Sequence, residues 1–257
     1  MNFLNLDLDF FVHGNIVHLP QSKVRRANPR QYRSWTSNEL IQFLETQCGL
    51  STKTPIPGRF GKHHDAVYDY WRDLQSVATT PAASINLVHV DAHADLGFGD
   101  SSWMNLCTDL LHQPVATRTS PMRGNNGLNL GSYIPYAVAC RWIQSIEFVT
   151  HPSWRWNDLP ALLFKNYDVH SGFLQLKQFA RSSVDDVSKI MRFFDAMEKR
   201  TLVPVGIEPD VPFTAAAYKT WKASSPFDYA FLAQSPNYTP ASADKLIGIF
   251  CRYIDFQ

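Results

Sequence analysis

Charge is scarce in this chain and almost balanced. Of 257 residues, 18% are Asp, Glu, Lys or Arg, and 24 basic against 23 acidic residues leave a net charge of +1. A broad electrostatic grip on nucleic acid or on an anionic membrane needs a basic face, so both partner classes are excluded. No apolar run approaches the ~18 residues of a membrane-spanning helix. The start, MNFLNLDLDFF, lacks a cationic segment and carries two acids within its apolar stretch, so it does not read as a secretory signal. Cysteines are few and scattered (Cys48, Cys107, Cys140, Cys251), with no C-x-x-C pair. That argues against a disulfide framework or a thiolate zinc site and points to a reducing cytoplasm. Repeats and low-complexity tracts are absent. What the chain does have is 45% hydrophobic and 13% aromatic residues, enough for a folded core.

The length suits one α/β domain over 1–257. Phe3 to Leu8 reads as a buried strand. The segment 13–35, with basic residues, Pro20 and Pro29, reads as a long loop. Thr36-Ser37-Asn38-Glu39 has capping-box spacing and opens a helix that Gly49 closes. Pro55, Pro57, Gly58 and Gly61 read as a connector. Val67, Tyr70, Trp71 and Leu74 give 64–77 a helical period. Ile85 to Val90 is a nearly all-apolar strand. A short helix is expected over 105–112, a helix over 132–144, a strand over Ile146 to Thr150, an amphipathic helix over 185–200, a buried strand from Leu202 to Ile207 and a last helix over 242–254. Apolar strands alternating with helices predict a mostly parallel sheet covered on both faces, a three-layer sandwich. Ligands of such sheets sit beyond the carboxyl ends of strands. Three of the expected strands end there in acids: Asp7 and Asp9, Asp91 to Asp95, and Glu208 with Asp210.

Val90-Asp91-Ala92-His93-Ala94-Asp95 puts three metal-capable side chains at alternate positions, and an extended chain would aim them the same way. Asn5-Leu6-Asp7-Leu8-Asp9 repeats the pattern with two carboxylates. A carboxylate buried at a strand end is costly unless neutralised, and neither cluster contains Lys or Arg. Four carboxylates suit two divalent cations, and oxygen-rich, thiolate-free ligation favours manganese or magnesium over structural zinc. Two such ions roughly 3.5–4 Å apart can activate a water for attack on carbon.

Asp91-Ala92-His93-Ala94-Asp95 resembles the Asp-x-His-x-Asp hallmark of the arginase-like ureohydrolases. Asn5-Leu6-Asp7-Leu8-Asp9 resembles their Ser-x-Asp-x-Asp strand end, with Asn for Ser. Gly61-Lys62-His63-His64-Asp65 is similar to their Gly-Gly-Asp-His-Ser turn. The D-x-D element comes first here, whereas arginases place it after the central motif, which implies an arginase/deacetylase-like fold with rearranged chain order. The combination resembles the peptide arginases, which convert arginine side chains of a ribosomally made precursor peptide to ornithine and release urea. These motifs span about a tenth of the chain. The resemblance implies two Mn2+, with Asp7 and Asp91 shared, His64 and Asp95 completing one ion and His93 and Asp9 the other. Asp95 would also orient the attacking water. His63 is the rival to His64.

A guanidinium matches a carboxylate fork, so an arginase needs an acid that is not spent on metal. Glu208 is the expected substrate-binding and catalytic acid, with Asp210 as fallback. His151 and His170 are candidates for proton delivery, and His89 reads as a buried strand histidine. Trp154 and Trp156 suggest anchors for a peptide, and the basic 13–35 segment a guide for an acidic leader. The expected partner is therefore a precursor peptide with leader and arginine-containing core; the oligomeric state stays open. Competing readings are a ureohydrolase on free arginine, agmatine or another small guanidino or acyl compound, a single-metal deacetylase-like enzyme, and a silent metal-binding module.

Overall fold

The computed structural model describes residues 1–14, 26–77, 84–97, 101–155, 158–185 and 203–257. They form an α/β protein whose strands, in chain order, are β1 (Asn2–Asp7), β2 (Val12–His13), β3 (Arg33–Ser34), β4 (Ile56–Gly61), β5 (Ile85–Asp91), β6 (Ile143–Thr150), β7 (Phe173–Leu174), β8 (Lys177–Gln178), β9 (Gly206–Ile207), β10 (Val211–Ala217), β11 (Tyr229–Ala233) and β12 (Ile254–Phe256). Eight of them form one sheet in the order β12-β4-β11-β1-β5-β6-β10-β7. The pairs β12–β4, β4–β11, β11–β1 and β1–β5 are parallel, while β10 and β7 are antiparallel. The contacts divide the chain into two compact units, one of Met1–Ala94, Ile146–Asn157 and Ala215–Gln257, the other of Asp95–Ser145 and Asp158–Thr214.

In the first unit, alternate residues of β1 serve opposite faces of the sheet. Phe3 packs edge-on against Tyr70 and Trp71 of α2 (Ala66–Val77). Leu4 and Leu6 enter an aromatic core with Phe10, Phe11, Trp35, Phe43 and Phe250, supplied by α1 (Ser37–Gln42) with its π-turn extension Phe43–Gln47, by a 3-10 turn Leu8–Phe11 and by the helical segment near the C-terminus. Helical elements thus pack on both faces. The capping box is present: Glu39 N–H donates to Thr36 Oγ1 and Thr36 N–H to the Glu39 carboxylate. In the second unit α3 (Ser102–Thr108) and α4 (Tyr133–Ala139) are joined when the Tyr136 hydroxyl donates to the Ser102 carbonyl, 2.9 Å.

Several expectations change. Residues 56–61 are not a connector but β4, flanked on both sides in the sheet. Gly58 suits that place because a Cβ would come 2.5 Å from Ile254 Cγ2 and 2.6 Å from the Ala230 carbonyl oxygen. The 132–144 helix stops at Ala139 and β6 begins already at Ile143. The segment before Glu208 is not a buried strand: Val203, Val205 and Ile207 are exposed, and β9 is a two-residue ladder with β8. The expected last helix is a 3-10 turn, Ala241–Leu246, and one turn of α-helix, Ile247–Phe250, before the chain pairs as β12. β10 and β11 escaped the sequence reading. The amphipathic 185–200 stretch lies, apart from its first residue, outside the described residues, as does Trp156.

Candidate metal centre

Four adjacent parallel strands of the first unit, β4, β11, β1 and β5, end at the same edge. The chain leaving each end supplies polar side chains to one buried cluster. β1 delivers Asp7 as its last residue and Asp9 in the following 3-10 turn. β5 delivers Asp91 and then His93. The turn between β4 and α2 delivers His64, whose carbonyl accepts from Val67 N–H at 3.1 Å. The loop after β11 delivers Ser235. Asp7, Asp9, His64, Asp91 and Ser235 are buried, and His93 is partly exposed.

The side chains converge by turning, not by extended alternation. Asp7 Oδ1 accepts from Asp9 N–H at 2.9 Å, and Asp91 Oδ1 accepts from His93 N–H at 2.8 Å. Each carboxylate thus caps the turn that brings in its partner two residues later, the same device on neighbouring strands. Ala92 N–H adds a bond to Asp9 Oδ1, 3.3 Å.

His64 Nδ1 lies 3.0 Å from Asp7 Oδ2 and 3.0 Å from Asp91 Oδ2. His93 Nδ1 lies 3.0 Å from Asp9 Oδ2 and 3.6 Å from Asp91 Oδ1. Asp91 therefore faces both histidines, one through each oxygen. Donor groupings able to hold an ion among the described residues are His64, His89 and Asp91, and Asp9, Asp91 and His93. Hydrogen bonding separates His89 from the ligands. Its Nε2 lies 3.0 Å from the His93 carbonyl, which can only accept, so Nε2 bears the proton and Nδ1 accepts from Asn5 Nδ2, 3.2 Å. Asn5 Oδ1 is then turned to His64 Nε2 at 3.0 Å and takes its N–H. In neutral His64 the lone pair is thereby left on Nδ1, aimed at two carboxylates. Such a lone pair between anionic oxygens calls for a cation.

The electrostatics agree. Burial, then the charge of Asp9, raises the pKa of Asp7, and His64 only partly opposes them. Burial would lower His93, but hydrogen bonds and charge from Asp9 and Asp91 more than offset it, and its pKa stands well above 6.5. Ser235 donates its hydroxyl to Asp7 Oδ2 from a left-handed backbone, φ 44°. The ring of Tyr238, from the same loop, lies 5.2 Å from that of His93. The cluster, with carboxylates and imidazoles and no thiolate, could hold a metal ion.

Of the residues singled out in the sequence, Asp7, Asp9, His64, Asp91 and His93 meet here. His63 is the partly exposed neighbour, and His64 is the one in the cluster. Asp7 and Asp95 belong to neither donor grouping; Asp7 still faces His64 Nδ1 at 3.0 Å, whereas Asp95 falls in the second unit with a left-handed backbone, φ 51°. Glu208, also in the second unit, requires a correction. Its Oε1 accepts from Arg118 at 2.9 Å and its Oε2 from Arg141 at 3.0 Å. The carboxylate is already held by two guanidiniums of its own chain, so the role of substrate fork does not follow. The fallback, Asp210, pairs with Lys165. His151 is buried with Nε2 donating to the Val12 carbonyl, 2.8 Å, and Nδ1 accepting from Ser153 N–H, 3.1 Å, which does not suit a proton shuttle. His170 is exposed, and Trp154 is buried rather than a free anchor. His89 is the buried strand histidine that the sequence suggested, while the roles of Asn5, Ser235 and Tyr238 were missed. Asn5 had a signal, since it sits two residues before Asp7 on one strand face. Ser235 and Tyr238 had none, because β11 is remote in sequence. Comparison with protein-family models finds no match to this chain, and the same holds for curated proteins and for solved structures.

Proposed function

We propose that the chain is a cytoplasmic dimanganese ureohydrolase that converts arginine side chains of a ribosomally made precursor peptide to ornithine and urea, on an arginase/deacetylase-like three-layer fold of rearranged chain order. The observation that carries this reading is Asp91, whose two oxygens face His64 on one side and His93 on the other. Asp7 joins the His64 side and Asp9 the His93 side. One ion would be held by His64, Asp7 and Asp91, the other by His93, Asp9 and Asp91. When bound, such ions supply Lewis acidity and lower the pKa of water.

The chain's own contribution is preorganisation. Asn5 presents the His64 lone pair, the two aspartate-capped turns fix the carboxylates, and the apolar residues between them, Leu6, Leu8 and Ala92, are fully buried and exclude water. The rearranged order is no obstacle, since β1, first in the chain, lies between β11 and β5 in the sheet. The choice of a guanidinium rests on the likeness of the three motifs, and the choice of a peptide on the family branch they resemble. No helix among the described residues is long and apolar enough to cross a membrane.

The test is mass spectrometry of arginine-containing peptides incubated with manganese-loaded protein, beside free arginine and an acyl-lysine peptide. Loss of about 42 Da per arginine, with urea in the supernatant, is the expected result of this hydrolysis. Two bound manganese ions with every arginine mass unchanged would reject it.

A further inference from the structure

The row of strand ends that carries the metal cluster continues past β5. The His89 and Phe148 rings stack at 5.3 Å, which sets β6 beside β5 two residues before the ends of both strands. Thr150 Oγ1 approaches the Ala216 carbonyl at 3.4 Å, which sets the end of β10 beside that of β6. At these ends, wholly within the first unit, lies a cavity of about 430 Å³ lined by His151, Trp154, Ala215, Ala217, Tyr218 and Lys219 among others. It shares a wall with the cluster. Phe10, next to Asp9, packs edge-on against both His151 (5.8 Å) and Tyr218 (5.9 Å), and His151 is tied to the Val12 carbonyl at the end of the same turn.

We propose that this cleft receives the stretch of substrate peptide adjoining the reacting arginine, and that Lys219 selects an acidic side chain there. The inference rests on the hydrolase reading above and names its substrate class. The volume falls within the range of ligand pockets, roughly 300–1,000 Å³. Ala215 and Ala217, small residues, line the cleft together with Trp154 and Tyr218. Lys219, exposed, is the one charged residue of the lining besides His151, and the hydrogen bonds of His151 keep it neutral. Lys219 is complementary to Asp or Glu, whereas the Glu39 carboxylate, whose charge reaches Tyr218, confines the acid-binding position to the Lys219 end of the lining.

The test uses full-length manganese-loaded protein and fluorescein-labelled peptides of one sequence, each with a single arginine flanked by aspartates, alanines or lysines. Anisotropy reads binding, and mass spectrometry reads turnover separately. The aspartate peptide should bind roughly fivefold tighter than the lysine peptide, as expected for an exposed ion pair. Lys219→Glu should reverse that order, with manganese content and melting temperature unchanged. Trp154→Ala is liable to disturb packing, so Ala217→Trp, which fills the cleft from an exposed position, is the second variant; it should weaken binding of all three peptides. Equal affinities in the parent protein, or an unaltered order in Lys219→Glu, would overturn the cleft assignment. Turnover without flank preference removes the cleft and leaves the reaction; flank preference without turnover removes the reaction and leaves a peptide-binding cleft.

Discussion

The main-chain oxygen of His93 accepts the Nε2 proton of His89 across 3.0 Å, and this one bond fixes a relay of side chains. It leaves His89 Nδ1 as an acceptor, which turns the Asn5 amide, which in turn takes the Nε2 proton of His64. The nitrogen of His64 that faces Asp7 and Asp91 is selected by a carbonyl on another strand end.

Asn5→Leu should therefore weaken manganese binding without removing any ligand. The expected loss is about 10- to 100-fold in affinity by isothermal titration calorimetry, typical of removing a group that orients a ligand. An unaltered isotherm would show that the amide does not set the ring.

Ser235 offers a way to separate metal affinity from stability. Its hydroxyl holds Asp7 Oδ2, yet its φ of 44° favours glycine. Ser235→Gly should keep or slightly raise the melting temperature of the metal-free protein while weakening manganese binding about tenfold or more. A drop in melting temperature with full affinity would assign Ser235 to the fold alone.

Glu208 is expected to act on stability. Burial would raise its pKa, but the hydrogen bonds and charges of Arg118 and Arg141 more than offset this and lower it below 4.5. A carboxylate with a lowered folded-state pKa contributes stability that is fully present above 4.5 and is lost as pH falls through the lowered value. Glu208→Gln leaves the buried Arg118 without its counter-charge and should cost about 3 kcal/mol at pH 7. The deficit should shrink on acidification below pH 4, as followed by urea denaturation. A pH-independent deficit would contradict the ion-pair account.

Gly58→Ala tests the β4 assignment. The added methyl would meet Ile254 on one side and the Ala230 carbonyl on the other, so β12 or β11 must shift. A loss of about 2 kcal/mol in thermal or urea unfolding is expected from overpacking of this kind. Neutral behaviour would mean that β4 does not run between those strands.

The sequence alone determined the pieces whose signals are local. The capping box at Thr36, the apolar run of β5 and the acid-rich ends of β1 and β5 all follow from spacing within a few residues. The strand-end spacing named Asp7, Asp9, Asp91 and His93, together with Asp95, and the likeness of residues 61–65 to a ureohydrolase turn added His64. The tertiary structure decided the rest, because burial and pairing depend on neighbours far along the chain. A segment with Pro57 and Gly58 reads as a breaker until Ile254 and Ala230 close on it from both sides. Glu208 reads as available until Arg118, 90 positions away, takes its charge. Ser235 reads as an ordinary loop residue until β11 sets it beside Asp7 across 228 positions. Local chemistry supplied the candidate ligands; only the parallel pairing of β4, β11, β1 and β5 gave them one place in which to meet.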